Sequence, residues 1–227
     1  MTKVENILEL RNVSKTYKTG KISVEALKDI SISIKKGEMV AIMGPSGSGK
    51  STLMHIMGLL DRPTTGEYLV NGEKIDMQMP DRKLAKLRSE KIGFVFQTFN
   101  LLSKITAFDN VVMPTQYKKV GKASTQSRAL ELLELVGLRG REKHKPTELS
   151  GGQIQRVAIA RSLINNPEII LADEPTGNLD SKSGTEVMNL LKKLNEKGKT
   201  VILITHDQRI ADFADRTINI LDGKVGK

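Results

Sequence analysis

The chain has 227 residues, with 36 Lys and Arg against 26 Asp and Glu and a formal net charge of +10. Cysteine is absent, which excludes disulfides, thiolate metal sites and a cysteine nucleophile, and fits a reducing compartment. The start MTKVENILEL lacks the charged-then-apolar order of a signal peptide, and no apolar run approaches the roughly 18 residues of a membrane span, so a cytoplasmic chain is expected. The basic excess would suit a nucleic acid or an anionic membrane face. Yet Lys118-Lys119-Val120-Gly121-Lys122 and Arg139-Gly140-Arg141-Glu142-Lys143-His144-Lys145 are short, carry no interleaved aromatics and include an acid. They read better as solvated surface.

In chain order, Ile7 to Val13 alternates as a strand, and Ala26 to Ile34 continues the pattern with Ile30, Ile32 and Ile34 on one face. Between them stands Tyr17, an aromatic that suits either stacking on an adenine face or plugging a surface. Lys36-Gly37-Glu38 turns the chain into the apolar strand Met39–Met43. There follows Gly44-Pro45-Ser46-Gly47-Ser48-Gly49-Lys50-Ser51-Thr52, which fits G-x-x-x-x-G-K-[ST] and leads into a helix ending near Met57. Strand, loop and helix are the context that a phosphate-binding loop needs. Its amides and helix N-terminus attract phosphate, Lys50 reaches the β/γ oxygens, and the Ser51 hydroxyl suits Mg²⁺. Asp61 to Gly66 breaks the chain, Glu67 to Gly72 reads as a strand closed by an Asn-Gly turn, and Asp81 to Glu90 as a short amphipathic helix. Ile92 to Gln97 reads as a strand with a polar end, and Thr106 to about Gly137 is helical in texture. A helical lobe is expected over residues 98–162, inserted between core strands.

Further along, Leu149-Ser150-Gly151-Gly152-Gln153 precedes Ile154, Val157 and Ala158, apolar at helical spacing. This is a second anion-attracting helix end, or simply a serine cap. The buried-strand run Ile169–Ala172 ends in Asp173-Glu174, two carboxylates that alternation sends to opposite faces. Asp173 suits Mg²⁺ held through water, and Glu174 suits the attacking water. A last strand, Thr200–Thr205, ends in His206, on the carboxyl edge where open α/β sheets place ligands; His55 and His144 receive no chemistry.

These motifs, in this order, resemble the ATP-binding-cassette ATPases over nearly the whole chain. The likeness adds a Q-loop glutamine at Gln97, a signature at Leu149 to Gln153, a D-loop at Asn178-Leu179-Asp180, a switch histidine at His206, and an adenine-stacking aromatic at Tyr17. Lys91 to Gln97 and Asp173 to Asp180 look most like the cassettes of lipoprotein-releasing, macrolide-exporting and peptide-exporting transporters, with cell-division cassettes close. Thr98 and Ile154 stand where such sequences commonly have a second glutamine.

The resemblance implies an α/β P-loop NTPase core of the RecA type, residues 1–97 and 163–227, with an N-terminal antiparallel β-subdomain and a helical signature subdomain over 98–162. It implies ATP and Mg²⁺ as cofactors, with Lys50, Glu174 and His206 catalytic and Ser51, Gln97 and Asp173 around the metal. The nucleotide would contact Tyr17, Gly44 to Thr52 and Gln97, together with Ser150, Gly151, Gly152 and Gln153 from a second copy in a head-to-tail dimer. A separate permease would hold the chain on the inner face of the membrane, and no nucleic acid is expected. Two other classes are a division-type regulatory cassette and a DNA-maintenance ATPase. The second requires a long coiled coil between the nucleotide motifs, and no heptad run of that length lies between Gln97 and Leu149.

Overall fold

Alternating apolar residues set the entry to the fold. In the computed structural model, which describes residues 5–20, 22–117 and 122–226, strand β1 (Asn6–Thr19) pairs antiparallel with β2 (Ile22–Lys35). The Met1–Val4 start and the basic residues Lys118 to Gly121 lie outside the described residues. Ile30, Ile32 and Ile34 point into the core between exposed neighbours, as the period of two requires. On its other side β1 pairs with β4 (Thr65–Val70), which turns through Asn71 and Gly72 into β5 (Glu73–Lys74), giving the order β2-β1-β4-β5. Both turn residues have positive φ, 51° and 77°, the geometry that Asn-Gly favours in a two-residue hairpin. One expectation is corrected here: Tyr17 does not sit between two strands but inside β1, opposite Val24.

The chain forms two compact units, Met1–Ala85 with Asn195–Lys227, and Lys86–Leu194. Beside the antiparallel sheet, the first holds β3 (Met39–Met43), flanked by parallel β8 (Thr200–Ile204) and β9 (Arg216–Leu221), with β10 (Lys224–Val225) antiparallel to β9. Strands β3 and β8 are buried along nearly their whole length, hence their unbroken apolar sequences. Helix α1 (Lys50–Met57) follows β3, and the short α7 (Gln208–Ala211) follows β8.

The chain passes to the second unit within α2 (Asp81–Lys91) and returns within α6 (Ser181–Glu196). That unit holds the parallel pair β6 (Ile92–Val95) and β7 (Ile169–Asp173) and the helices α3 (Ala107–Val112), α4 (Lys122–Leu135) and α5 (Gly151–Leu163). The expected helical lobe falls inside it. The helical texture read from Thr106 to Gly137 is not one helix: a capping box at Thr106 and Asp109 starts α3, and a 3-10 segment, Met113–Tyr117, interrupts it. Pro114 explains the break, since it supplies no N–H and crowds the preceding turn. Among the described residues between Gln97 and Leu149 the longest helix is α4, with 14 residues, too short for the coiled coil of a DNA-maintenance ATPase.

Candidate functional site

Parallel pairing brings the first unit's chemistry to one edge. Ile42 is opposite Ile204, and Thr205 N–H donates to Ile42 O at 3.1 Å, so the carboxyl ends of β3 and β8 lie side by side. From one springs the loop Gly44–Gly49, and from the other the exposed His206. The loop curls back before α1: Ser48 N–H donates to Pro45 O at 3.2 Å, and the Lys50 ammonium bridges Gly44 O and Pro45 O at 2.7 and 2.8 Å. Gly49 is needed for two reasons, its φ of 104° and the 2.6 Å that would separate a Cβ from Ala26 O. The first amides of α1, which have no intrahelical acceptor, therefore face the loop interior beside the Lys50 charge. Ser48 Oγ is buried there without a hydrogen-bond partner among the described residues. Inward amides, one cation and an unsatisfied hydroxyl fit a phosphate chain, and the exposed Ser51 hydroxyl fits its metal.

Tyr17 belongs to the same unit. Its hydroxyl donates to Asp61 Oδ2 at 2.8 Å, and Lys15 Nζ lies 4.8 Å from its ring centroid while donating to Asp61 Oδ1 at 2.6 Å. Burial and the Asp61 hydrogen bond push the Tyr17 hydroxyl up, against an opposing hydrogen bond from Thr52 on α1. A half-exposed ring is thus moored next to the phosphate loop.

In the second unit β6 and β7 repeat the edge arrangement, Val95 opposite Ala172, so Gln97 and Asp173 emerge on the same side. The Gln97 amide lies over Gly177, where a Cβ would stand 2.6 Å from Nε2, and Asn178 Nδ2 donates to Gln97 O at 3.0 Å. Glu174, half-buried, has a φ of 42°, a backbone rarely adopted by a residue with a side chain. Ser150 caps α5: its hydroxyl accepts from Gln153 N–H at 3.3 Å, and Gln153 Oε1 accepts from Ser150 N–H at 2.9 Å. The structure shows the serine cap, which leaves the Gly151 and Gly152 amides as donors. Gly152 is also a contact residue, because a Cβ there would meet Ser183 of α6 at 2.9 Å. Asp180 caps α6 through Ser183 N–H at 3.0 Å, and hydrogen bonds from Ser183 hold its carboxyl below the usual range.

Tyr17, the phosphate loop and His206 therefore lie in the first unit, and Gln97, Ser150 to Gln153, Asp173 and Glu174 in the second. Sequence reasoning missed Gln155, which is fully buried in α5. Its spacing was the available signal: Gly152, Gln155, Ile159 and Ser162 follow one another at helical intervals and all are buried, while Ile154, apolar in the helical pattern, is half-exposed.

A family model described as ABC transporter matches residues 27–177. A Methanocaldococcus jannaschii protein, "Uncharacterized ABC transporter ATP-binding protein MJ0796", is 54% identical over 224 residues, covering 96% of this chain and 95% of its own. The solved structure of MJ0796 described as a dimeric bacterial ABC transporter cassette aligns with a TM-score of 0.88 and 52% identity over 97% of each chain. A second, described as a post-hydrolysis dimer bound to ADP and Pi, gives a TM-score of 0.87 at 51% identity, again over 97% of each chain. The "Macrolide export ATP-binding/permease protein MacB" of Chlorobaculum tepidum is 52% identical over 219 residues, 96% of this chain but 33% of that longer protein. With its phosphate loop, capped signature helix and carboxylate pair at a strand end, this chain belongs to the ABC transporter family as an ATP-hydrolysing cassette with the P-loop NTPase fold.

Proposed function

We propose that residues 1–227 form one cassette domain that binds ATP and Mg²⁺, closes head-to-tail on a second copy, and drives a separate membrane permease of an export system. Lys50 and the amides of Gly44 to Thr52 hold the phosphates, and Tyr17 stacks on the adenine. When bound, Mg²⁺ would supply charge neutralisation to the phosphate chain. Ser51, Gln97 and a water on Asp173 would hold it. Glu174 takes the proton of the attacking water, and His206 holds the γ-phosphate in line. Ser150, Gly151, Gly152 and Gln153 approach the nucleotide from the partner copy.

The observation that carries this reading is the presence of two anion-attracting helix starts in one chain, α1 behind the phosphate loop and α5 behind Ser150. Support for a dimer comes from the solved relatives described as dimeric cassettes. Support for a separate permease comes from relatives of matching length named as ATP-binding proteins, and for export from the likeness to MacB, whose name joins ATP binding and permease. Among the described residues no helix is long and apolar enough to cross a membrane, so attachment on the inner face through that permease is part of the proposal.

The variant Glu174→Gln tests it. Glutamine keeps the shape, cannot act as a base and removes a negative charge near the phosphates, so ATP contacts made by two copies accumulate as a stable dimer. Light scattering on a sizing column should show dimer with ATP and monomer with ADP. A variant that binds ATP and stays monomeric at high concentration contradicts the shared site.

A further inference from the structure

One side chain of α5 reaches the backbone on both sides of the second unit's chemistry. Gln155 is 0% exposed, and its Nε2 donates to Pro175 O at 2.7 Å and, more weakly, to Phe96 O at 3.4 Å. Pro175 follows Glu174, and Phe96 precedes Gln97. Both partners are carbonyls, so the amide can stand only with its nitrogen toward them. Its Oε1 is buried with no partner among the described residues, a polarity that a packing role alone does not call for. Further along the same helix, Arg161 Nη2 donates to Phe99 O at 2.9 Å and Nη1 to Asn100 O. Phe99 and Asn100 have φ of 60° and 51°, and Glu174 has 42°. Helix α5 thus grips two segments that carry left-handed backbone.

We propose that Gln155 is a positioning residue for ATP hydrolysis: through Pro175 O, and secondarily Phe96 O, it fixes the backbone that carries Glu174 and Gln97 to the helix that begins at the signature. Gln155 lies five residues beyond Ser150, about 7 Å along a rigid helix. A ligand that seats the signature end therefore also sets the height of Pro175, and with it the direction of the Glu174 carboxylate. The proposal rests on the roles given above to Glu174 and Gln97.

Gln155→Met tests it, because methionine has nearly the same length and volume and cannot donate. Thermal unfolding, ATP titration, and kcat per nucleotide-binding site are measured, with single-turnover rates for Glu174→Gln and for the double variant. The expected result is a kcat lower by about 10- to 100-fold, the scale of a small misplacement of a reacting group, with KM for ATP and ATP affinity unchanged. On top of Glu174→Gln the same change should cost much less, since the group it positions has lost its chemistry. Parental kcat, a rise in KM alone, or a full multiplicative loss in the double variant overturns the proposal. If Gln155→Met does not fold, Gln155→Glu, of the same shape with acceptors facing the carbonyls, carries the same measurements. Failure of both to fold makes Gln155 a folding residue and also overturns it. Parental turnover in Glu174→Gln itself would instead sink the reading of the site, so the two failures are distinguishable.

Discussion

At the scale of single residues, charge is held where the backbone can use it. Lys50 lies inside the arc it is assigned to serve, held on the carbonyls of Gly44 and Pro45. Lys50→Ala should therefore fold as the parent does and lose productive ATP binding, seen as a flat nucleotide titration with an unchanged unfolding midpoint. Asp61 offers a pH test. Burial raises its carboxyl, but hydrogen bonds from Lys15, Tyr17 and the Arg62 N–H outweigh burial and hold it below the ordinary aspartate value. A depressed folded-state pKa stabilises above the unfolded value of about 3.9 and loses that stabilisation as pH falls through the folded one. The difference in unfolding midpoint between parent and Asp61→Asn should be constant near neutrality and shrink below about pH 4. ATP affinity should also weaken in Asp61→Asn, because the amide keeps only one of the two acceptor oxygens that serve the Tyr17 hydroxyl and Lys15 and so loosens the ring.

Among the elements, α5 combines a start that faces ligand with a face that faces core. Its capping box satisfies two amides that helix formation leaves unpaired, so Ser150→Ala should destabilise the protein by about 1 kcal/mol. ATP binding at the phosphate loop should be unaffected, since Ser150 and that loop belong to different units. Denaturant unfolding and nucleotide titration on the same sample check both halves. Ser150→Arg should in addition abolish the ATP-dependent dimer of Glu174→Gln while leaving ATP binding intact, because it places bulk where the partner's nucleotide is proposed to dock.

For the whole molecule, the proposed permease calls for a docking surface. Thr98, Phe99, Leu101, Pro146, Thr147 and Ile154 line a shallow, mainly apolar hollow in the second unit, and Leu102 beside it is 51% exposed. The hollow adjoins Gln97, so a permease seated there would act on the segment assigned to the metal. In a chain with no native cysteine, Thr98→Cys and Leu102→Cys should cross-link to the co-purified permease, whereas Glu131→Cys on the exposed face of α4 should not. Cross-links from Glu131→Cys alone would move the dock away from the Q-loop.

The sequence by itself determined several elements whose pattern is local. The period of two in Ile30, Ile32 and Ile34, the unbroken apolar runs of β3, β7 and β8, and the glycines and lysine of the phosphate loop each follow from residues a few positions apart. Alternation, the ground for giving Asp173 and Glu174 different jobs, does not reach Glu174, because β7 ends at Asp173 and Glu174 has a φ of 42°. Tertiary structure decided what depends on partners far away in the chain. Tyr17 lengthens β1 because Val24 is there to pair with it, and its hydroxyl finds Asp61 across 44 residues. Gln155 looks in the sequence like one more polar residue on an amphipathic helix; only the approach of Phe96 and Pro175 from positions 59 and 20 residues away buries it and gives it two carbonyls to hold. Periodicity records which face of a helix turns inward, but not which distant backbone will meet it there.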